Sequence, residues 1–148
     1  MSENATHARY DSVFRDDLFK GQVVIVTGGG SGIGRCIAHE LTALGAHAIL
    51  VGRKPEKLEA VAEEITSDGG SCETASFDIR DEEAVSAAIA EMAKRHGRIH
   101  GLVNNAGGQF PANAEDISKK GWDAVIATNL TGGFLMSREV FKTSMAEH

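Results

Sequence analysis

Residues 27–34 read Thr27-Gly28-Gly29-Gly30-Ser31-Gly32-Ile33-Gly34. Glycine clusters also mark ordinary turns, so the neighbours decide the meaning of this one. Before it, residues 22–26 (QVVIV) form a short apolar, mostly β-branched run without polar alternation, the pattern of a strand buried on both faces. After it, Ile37, Leu41 and Leu44 repeat at i, i+4 and i+7 and predict a helix over about residues 31–44, stopped by Gly45. A strand that feeds a glycine turn and then a helix is the context in which such a turn has a use beyond reversing the chain.

Outward from this unit the pattern continues. Residues 47–51 (HAILV) predict a second strand, and Pro55 opens a second helix, with Leu58, Val61, Ala62 and Ile65 on one face and Gly69 at its end. Residues 71–77 alternate more and suit a strand nearer the sheet edge. Asp81 is a natural N-cap for a third helix. Glu82 and Glu83 favour the positive end of its dipole, Val85, Ala88, Ile89 and Met92 make its stripe, and Gly97 ends it. Residues 99–103 predict a fourth strand, running into Asn104-Asn105-Ala106-Gly107, and residues 118–145 a long closing helix. The order βαβαβαβα implies an α/β fold, a Rossmann-type doubly wound parallel sheet truncated after about four strands. Residues 1–20 read as a polar N-terminal extension and residues 21–148 as a partial dinucleotide-binding domain.

Bulk composition narrows the function. The 148 residues suit one domain, and 42% hydrophobic with 24% charged residues describes an ordinary globular protein. Fifteen Lys and Arg against 21 Asp and Glu give a net charge of −6, which argues against nucleic acid as a partner. Cys36 and Cys72 form no CxxC and read as reduced thiols of a cytoplasmic protein. No apolar run is long enough to span a bilayer, and the polar N-terminus lacks the apolar core of a signal peptide. The sequons at Asn4 and Asn129 read as chance matches without such a signal. His96 and His100 are four apart, but Gly97 breaks the helix between them, so no metal site is expected.

A helix N-terminus presents unpaired N–H groups to an anion, and a pyrophosphate lying against the backbone excludes side chains there. Gly28 allows the tight turn, Gly32 the close approach, and Gly34 the packing of helix against strand. The spacing is T-G-x-x-x-G-x-G, and it resembles that of the short-chain dehydrogenase/reductase family. Asp78 after the third strand, the Asn104–Gly107 run after the fourth and Asn129 in the long helix fit the same family in the same order. The resemblance covers residues 18–148. It implies a nicotinamide dinucleotide cofactor held by Gly28, Gly30, Ser31, Gly32, Ile33, Gly34, Asp78, Ile79, Asn105, Ala106 and Gly107. It also implies a role for Asn129 in the catalytic set, where a main-chain contact holds a water for a proton relay. The stretch from Asn104 to Pro111, with Gly121-Trp122 and Asn129–Gly132, is similar to the branch of enoyl-CoA and 2,4-dienoyl-CoA reductases and citronellol-type dehydrogenases.

The second strand chooses between the two nicotinamide cofactors. A carboxylate at its end would bind the ribose 2′-OH and repel a 2′-phosphate. Here Gly52 and Arg53 stand in its place, and a guanidinium can pair with a phosphate through two hydrogen bonds. NADP is therefore expected over NAD.

The family's proton chemistry uses Tyr-x-x-x-Lys, and these 148 residues contain none. Tyr10 is the sole tyrosine, and Phe14 stands where the lysine would be. The expected function is hydride transfer to or from a carbonyl, alcohol or enoyl thioester of a small molecule, by a parent that is a homo-oligomer. This chain alone is expected to be inactive. The alternative is a non-catalytic nucleotide-binding fragment or interaction module. The usual doubly wound order, 3-2-1-4-5-6, leaves the fourth strand as an apolar edge in a chain of four, so self-association or instability is expected.

Overall fold

The computed structural model describes residues 12–146. Tyr10 and the first eleven residues of the expected 1–20 extension lie outside them.

Four parallel strands make one sheet: β1 (Val23–Thr27), β2 (His47–Gly52), β3 (Ser71–Ser76) and β4 (Gly101–Val103), in the order β3-β2-β1-β4. This is the expected order of the first four strands. β1 is buried along its whole length, as its unalternating apolar run required, while β3 is polar and largely open, as befits an edge. The helices α1 (Gly32–Ala43) and α2 (Pro55–Ser67) cover one face, where Ala38, Leu58, Val61 and Ile65 pack on Ala48 and Leu50. On the other face α3 (Glu82–His96) and α5 (Gly133–Val140) pack Val85, Ile89, Met92 and Met136 against Ile25, Ile49 and Val51. Successive residues of β2 alternate between these two cores, which follows from the period of two in a strand.

The local signals explain the ends of α3. Asp81 accepts a hydrogen bond from the Ala84 N–H at 3.1 Å, Glu82 and Glu83 occupy the first turn, and Lys94, Arg95 and His96 the last. Gly97 then takes a φ of 74°, open to glycine at little cost.

Two expectations need adjustment. β4 begins at Gly101, two residues later than expected, because the Ile99 N–H donates to the Ser144 hydroxyl at 2.6 Å instead of to a strand. The closing helix starts where expected, with the Ser118 hydroxyl accepting from the Gly121 N–H, but it is not uniform. α4 (Lys119–Ile126) widens into a π-helical segment (Ala127–Gly132), tightens into α5 and widens again over Phe141–Met145. Residues 114–116 form a short 3₁₀ turn before it. Among the described residues, no helix is long and apolar enough to cross a membrane.

Candidate functional site: a dinucleotide cleft at the carboxyl ends of the strands

The glycine turn and the Asn104–Gly107 run follow adjacent strands, β1 and β4, at the point where the strand order reverses. In doubly wound sheets that crevice is where ligands bind. Thr27, the last residue of β1, ties the two together. Fully buried, its Oγ1 donates to the Val103 carbonyl at 3.1 Å and accepts from the N–H groups of Asn105 (3.0 Å) and Ala106 (2.9 Å). The Asn105 side-chain amide returns the link by donating to the Thr27 carbonyl at 2.9 Å. The turn is also fastened to β2, because the Gly28 N–H donates to the Val51 carbonyl at 2.7 Å. Sequence reasoning counted Thr27 as part of a spacing pattern and missed this role. Its signal was a threonine closing an otherwise apolar strand.

The glycines differ in what they are for. Gly28 and Gly32 need positive φ, 69° and 55°. Gly34 needs space: a Cβ there would lie 2.3 Å from the Gly28 carbonyl oxygen and 2.5 Å from the Asn105 amide. The expected roles of tight turn at 28 and close packing at 34 match this geometry. At Gly32 a Cβ would meet nothing within 4 Å, so there the requirement for glycine is the positive φ alone.

A cleft of about 340 Å³ opens above these residues. Gly28, Gly30, Ser31, Arg53, Asp78, Ile79, Asn105, Ala106 and Gly107 all line it. Thus nine expected residues, drawn from four separate stretches of chain, converge on one space. Gly32 and Gly34 shape the turn from outside the lining, and Ile33 projects into solvent, 74% exposed, at the start of α1. The first turn of α1 carries no acidic residue, and Ser31 at its N-cap makes no capping hydrogen bond, which leaves the positive end of the helix bare.

The cleft carries charge of both signs. Arg53, Lys54 and Lys57 line it and make no ion pair among the described residues. Sequence reasoning picked out only Arg53; Lys54 and Lys57 were legible as further cations beside Pro55 at the start of α2. Asp78, which follows the adjacent strand β3, is bound by Arg80 through guanidinium hydrogen bonds of 2.5–3.1 Å and by the Arg80 N–H at 3.0 Å. Arg80, with smaller help from Arg53, pulls the Asp78 carboxyl down from 3.8 to about 2. Asp78 therefore stays charged at neutral pH, with much of its acceptor capacity spent on Arg80.

Asn129 lies in the π-helical segment, where an extra residue in the turn changes the direction of a side chain, a feature frequent at functional sites. Its Oδ1 accepts from the Gly108 N–H at 2.8 Å and its Nδ2 donates to the Gly108 carbonyl at 3.0 Å. The side chain thus clamps the backbone just beyond Gly107 and is not part of the cleft lining, although its neighbour Thr128 is. The main-chain role expected for Asn129 leaves this clamp out, and the clamp holds the loop that borders the cleft.

Comparison with known proteins agrees with this geometry. Residues 22–148 match the family model described as short chain dehydrogenase. A citronellol catabolism dehydrogenase of Pseudomonas aeruginosa PAO1 is 60% identical with a TM-score of 0.89, over 93% of this chain and 56% of that one. A metagenomic short-chain oxidoreductase in complex with NADP is 39% identical with a TM-score of 0.81, over 87% of this chain and 59% of that one. A probable 2,4-dienoyl-CoA reductase of Caenorhabditis elegans is 40% identical over 136 residues, 90% of this chain and 44% of that protein. The chain belongs to the short-chain dehydrogenase/reductase family. It spans about half the length of these relatives.

Proposed function

We propose that this chain is the NADP(H)-binding portion of an oxidoreductase that transfers hydride to or from a carbonyl, alcohol or enoyl thioester. The observation that carries the cofactor choice is the end of β2. Gly52 and Arg53 stand where a carboxylate would select NAD, and Lys54 and Lys57 add two unpaired cations to the lining of the cleft. The adenosine 2′-phosphate would sit against these cations, and the pyrophosphate against Gly30, Ser31 and the N-terminus of α1. Asn105, Ala106 and Gly107 would border the sugar and nicotinamide. The cofactor supplies the hydride.

These 148 residues contain no Tyr-x-x-x-Lys, so we assign cofactor binding to this chain and place proton transfer outside it. Similarity to the citronellol dehydrogenase and the dienoyl-CoA reductase supports a substrate of that kind, and a homo-oligomeric parent remains our reading. The test is fluorescence titration of the chain with NADPH and NADH. NADPH should bind more tightly, and Arg53→Ala should cut the preference by roughly tenfold or more, as expected for loss of a charge-assisted hydrogen bond. An unchanged ratio overturns the cofactor assignment.

A further inference from the structure

At the opposite edge of the sheet, where the strands begin, three potential metal ligands meet. His47 opens β2, Glu73 lies in β3 and His96 is the last residue of α3. Register places them together: His47 pairs with Ser71 and Ile49 with Glu73, so side chains 47, 71 and 73 share one face of the sheet. Ile49 identifies that face as the one on which α3 packs, and α3 delivers His96 to it. One ligand atom from each of the three lies within 4.8 Å of the other two.

We propose that His47, Glu73 and His96 bind a divalent transition-metal ion of the zinc type, clipping the end of α3 to β2 and β3.

The atom that points to a ligand is His47 Nε2. It is buried and has no hydrogen-bond partner. His47 Nδ1 lies 2.7 Å from the Ser71 hydroxyl. If Nδ1–H donates to that oxygen, the Nε2 lone pair faces Glu73 Oε2, 3.8 Å away. In the other tautomer an Nε2–H faces the same oxygen across a gap too long for a hydrogen bond. A cation between the two acceptors gives His47 Nε2 the partner it lacks. The Ser71 contact then orients the ring from behind, as the outer hydrogen bond of a metal-bound histidine does. His96 Nε2 already lies 3.1 Å from Glu73 Oε1.

Two histidines and a carboxylate suit zinc, with a fourth position left for water. Zinc bond lengths put tetrahedral ligand atoms about 3.4 Å apart, so each side chain would move by under about 1 Å. Arg95 opposes the cation, because its guanidinium lies 3.1 Å from Glu73 Oε2. It also pairs with Glu91 at 2.5 Å, which offers it another resting place. Cys72 alternates to the opposite face of β3 and packs beside α2, so a thiolate does not enter this set.

The experiment is titration of the untagged, metal-free 148-residue chain with Zn²⁺ by calorimetry and with Co²⁺ by visible absorption. One equivalent should bind, with tetrahedral-type cobalt bands and no thiolate-to-cobalt band, and Zn²⁺ should raise the melting temperature. His47→Gln and His96→Gln should abolish this binding. Ser71→Ala should weaken it by about 10-fold or more, and His39→Gln should leave it unchanged. Arg95→Ala, on the surface and therefore safe for folding, should tighten it. The proposal falls if no saturable binding occurs, if binding survives both histidine variants, if a thiolate band appears, or if Arg95→Ala does not strengthen it.

Discussion

From Val23 to Gly97, Ile33 is the sole large apolar side chain left largely in water among the described residues, and it sits at the mouth of the glycine turn. From Phe110 onward, Phe110, Ile117, Trp122, Leu130, Phe134 and Phe141 are all exposed. The same contrast holds for the two sheet edges. β3 is an edge made of Ser71, Cys72, Glu73, Thr74, Ala75 and Ser76, with Glu73 held by Arg95 and His96. β4 is an edge made of Gly101, Leu102 and Val103, half-buried and without a polar side chain. The first region buries nearly all of its large apolar side chains, with α5 completing one of its two cores. The second carries apolar surface of the kind that marks contact with another chain or segment. The cofactor cleft belongs to both, since β1 supplies the glycine turn and β4 the Asn104–Gly107 run.

The sharpest way to break this comparison is to remove apolar atoms from each region in turn. Ile49→Ala, at a fully buried position in β2, should cost about 2–5 kcal/mol, read by urea denaturation. A loss well under about 1 kcal/mol would mean that the first region is not the stable one. Next in size, Gly34→Ala forces a Cβ against the Gly28 carbonyl and the Asn105 amide, where both regions join. It should cost about 1–3 kcal/mol and weaken NADPH binding further, because the turn and the Asn105 loop must part. Stability loss with unaltered NADPH affinity would separate the packing role of Gly34 from the site. The smallest effect should come from Phe141→Ala, at a side chain 60% exposed. It should change stability by no more than about 0.5 kcal/mol and yet reduce self-association measured by sedimentation. A folding defect as large as that of Ile49→Ala would erase the difference between the regions.

How much was legible in the sequence follows the same division. The β1 run, the α1 and α2 stripes, Pro55, Asp81 and Gly97 are local signals, and each marks an element that forms within a few residues of where it was expected. β4 was read two residues too long because the Ile99 N–H goes to Ser144, 45 residues away, and no local pattern announces that bond. The π-helical widening around Asn129 was equally hidden, since the apolar spacing there is that of an ordinary helix. At the cleft, the glycines, Arg53 and the Asn104–Gly107 run were readable because backbone access and charge are properties of residue type. Thr27 as the joining residue and the Asp78–Arg80 pair required coordinates.

The His47–Glu73–His96 cluster is the extreme case. Its residues are 26 and 23 positions apart in the chain, beyond the reach of any local spacing pattern. What the sequence determined by itself was the alternation of strands and helices and the bare glycine turn, because periodicity and the absence of a Cβ act over a few residues. What only the tertiary structure decided was which distant side chains share a face or a cleft. That depends on strand register and on where α3 lands, and both are set by packing summed over the whole sheet.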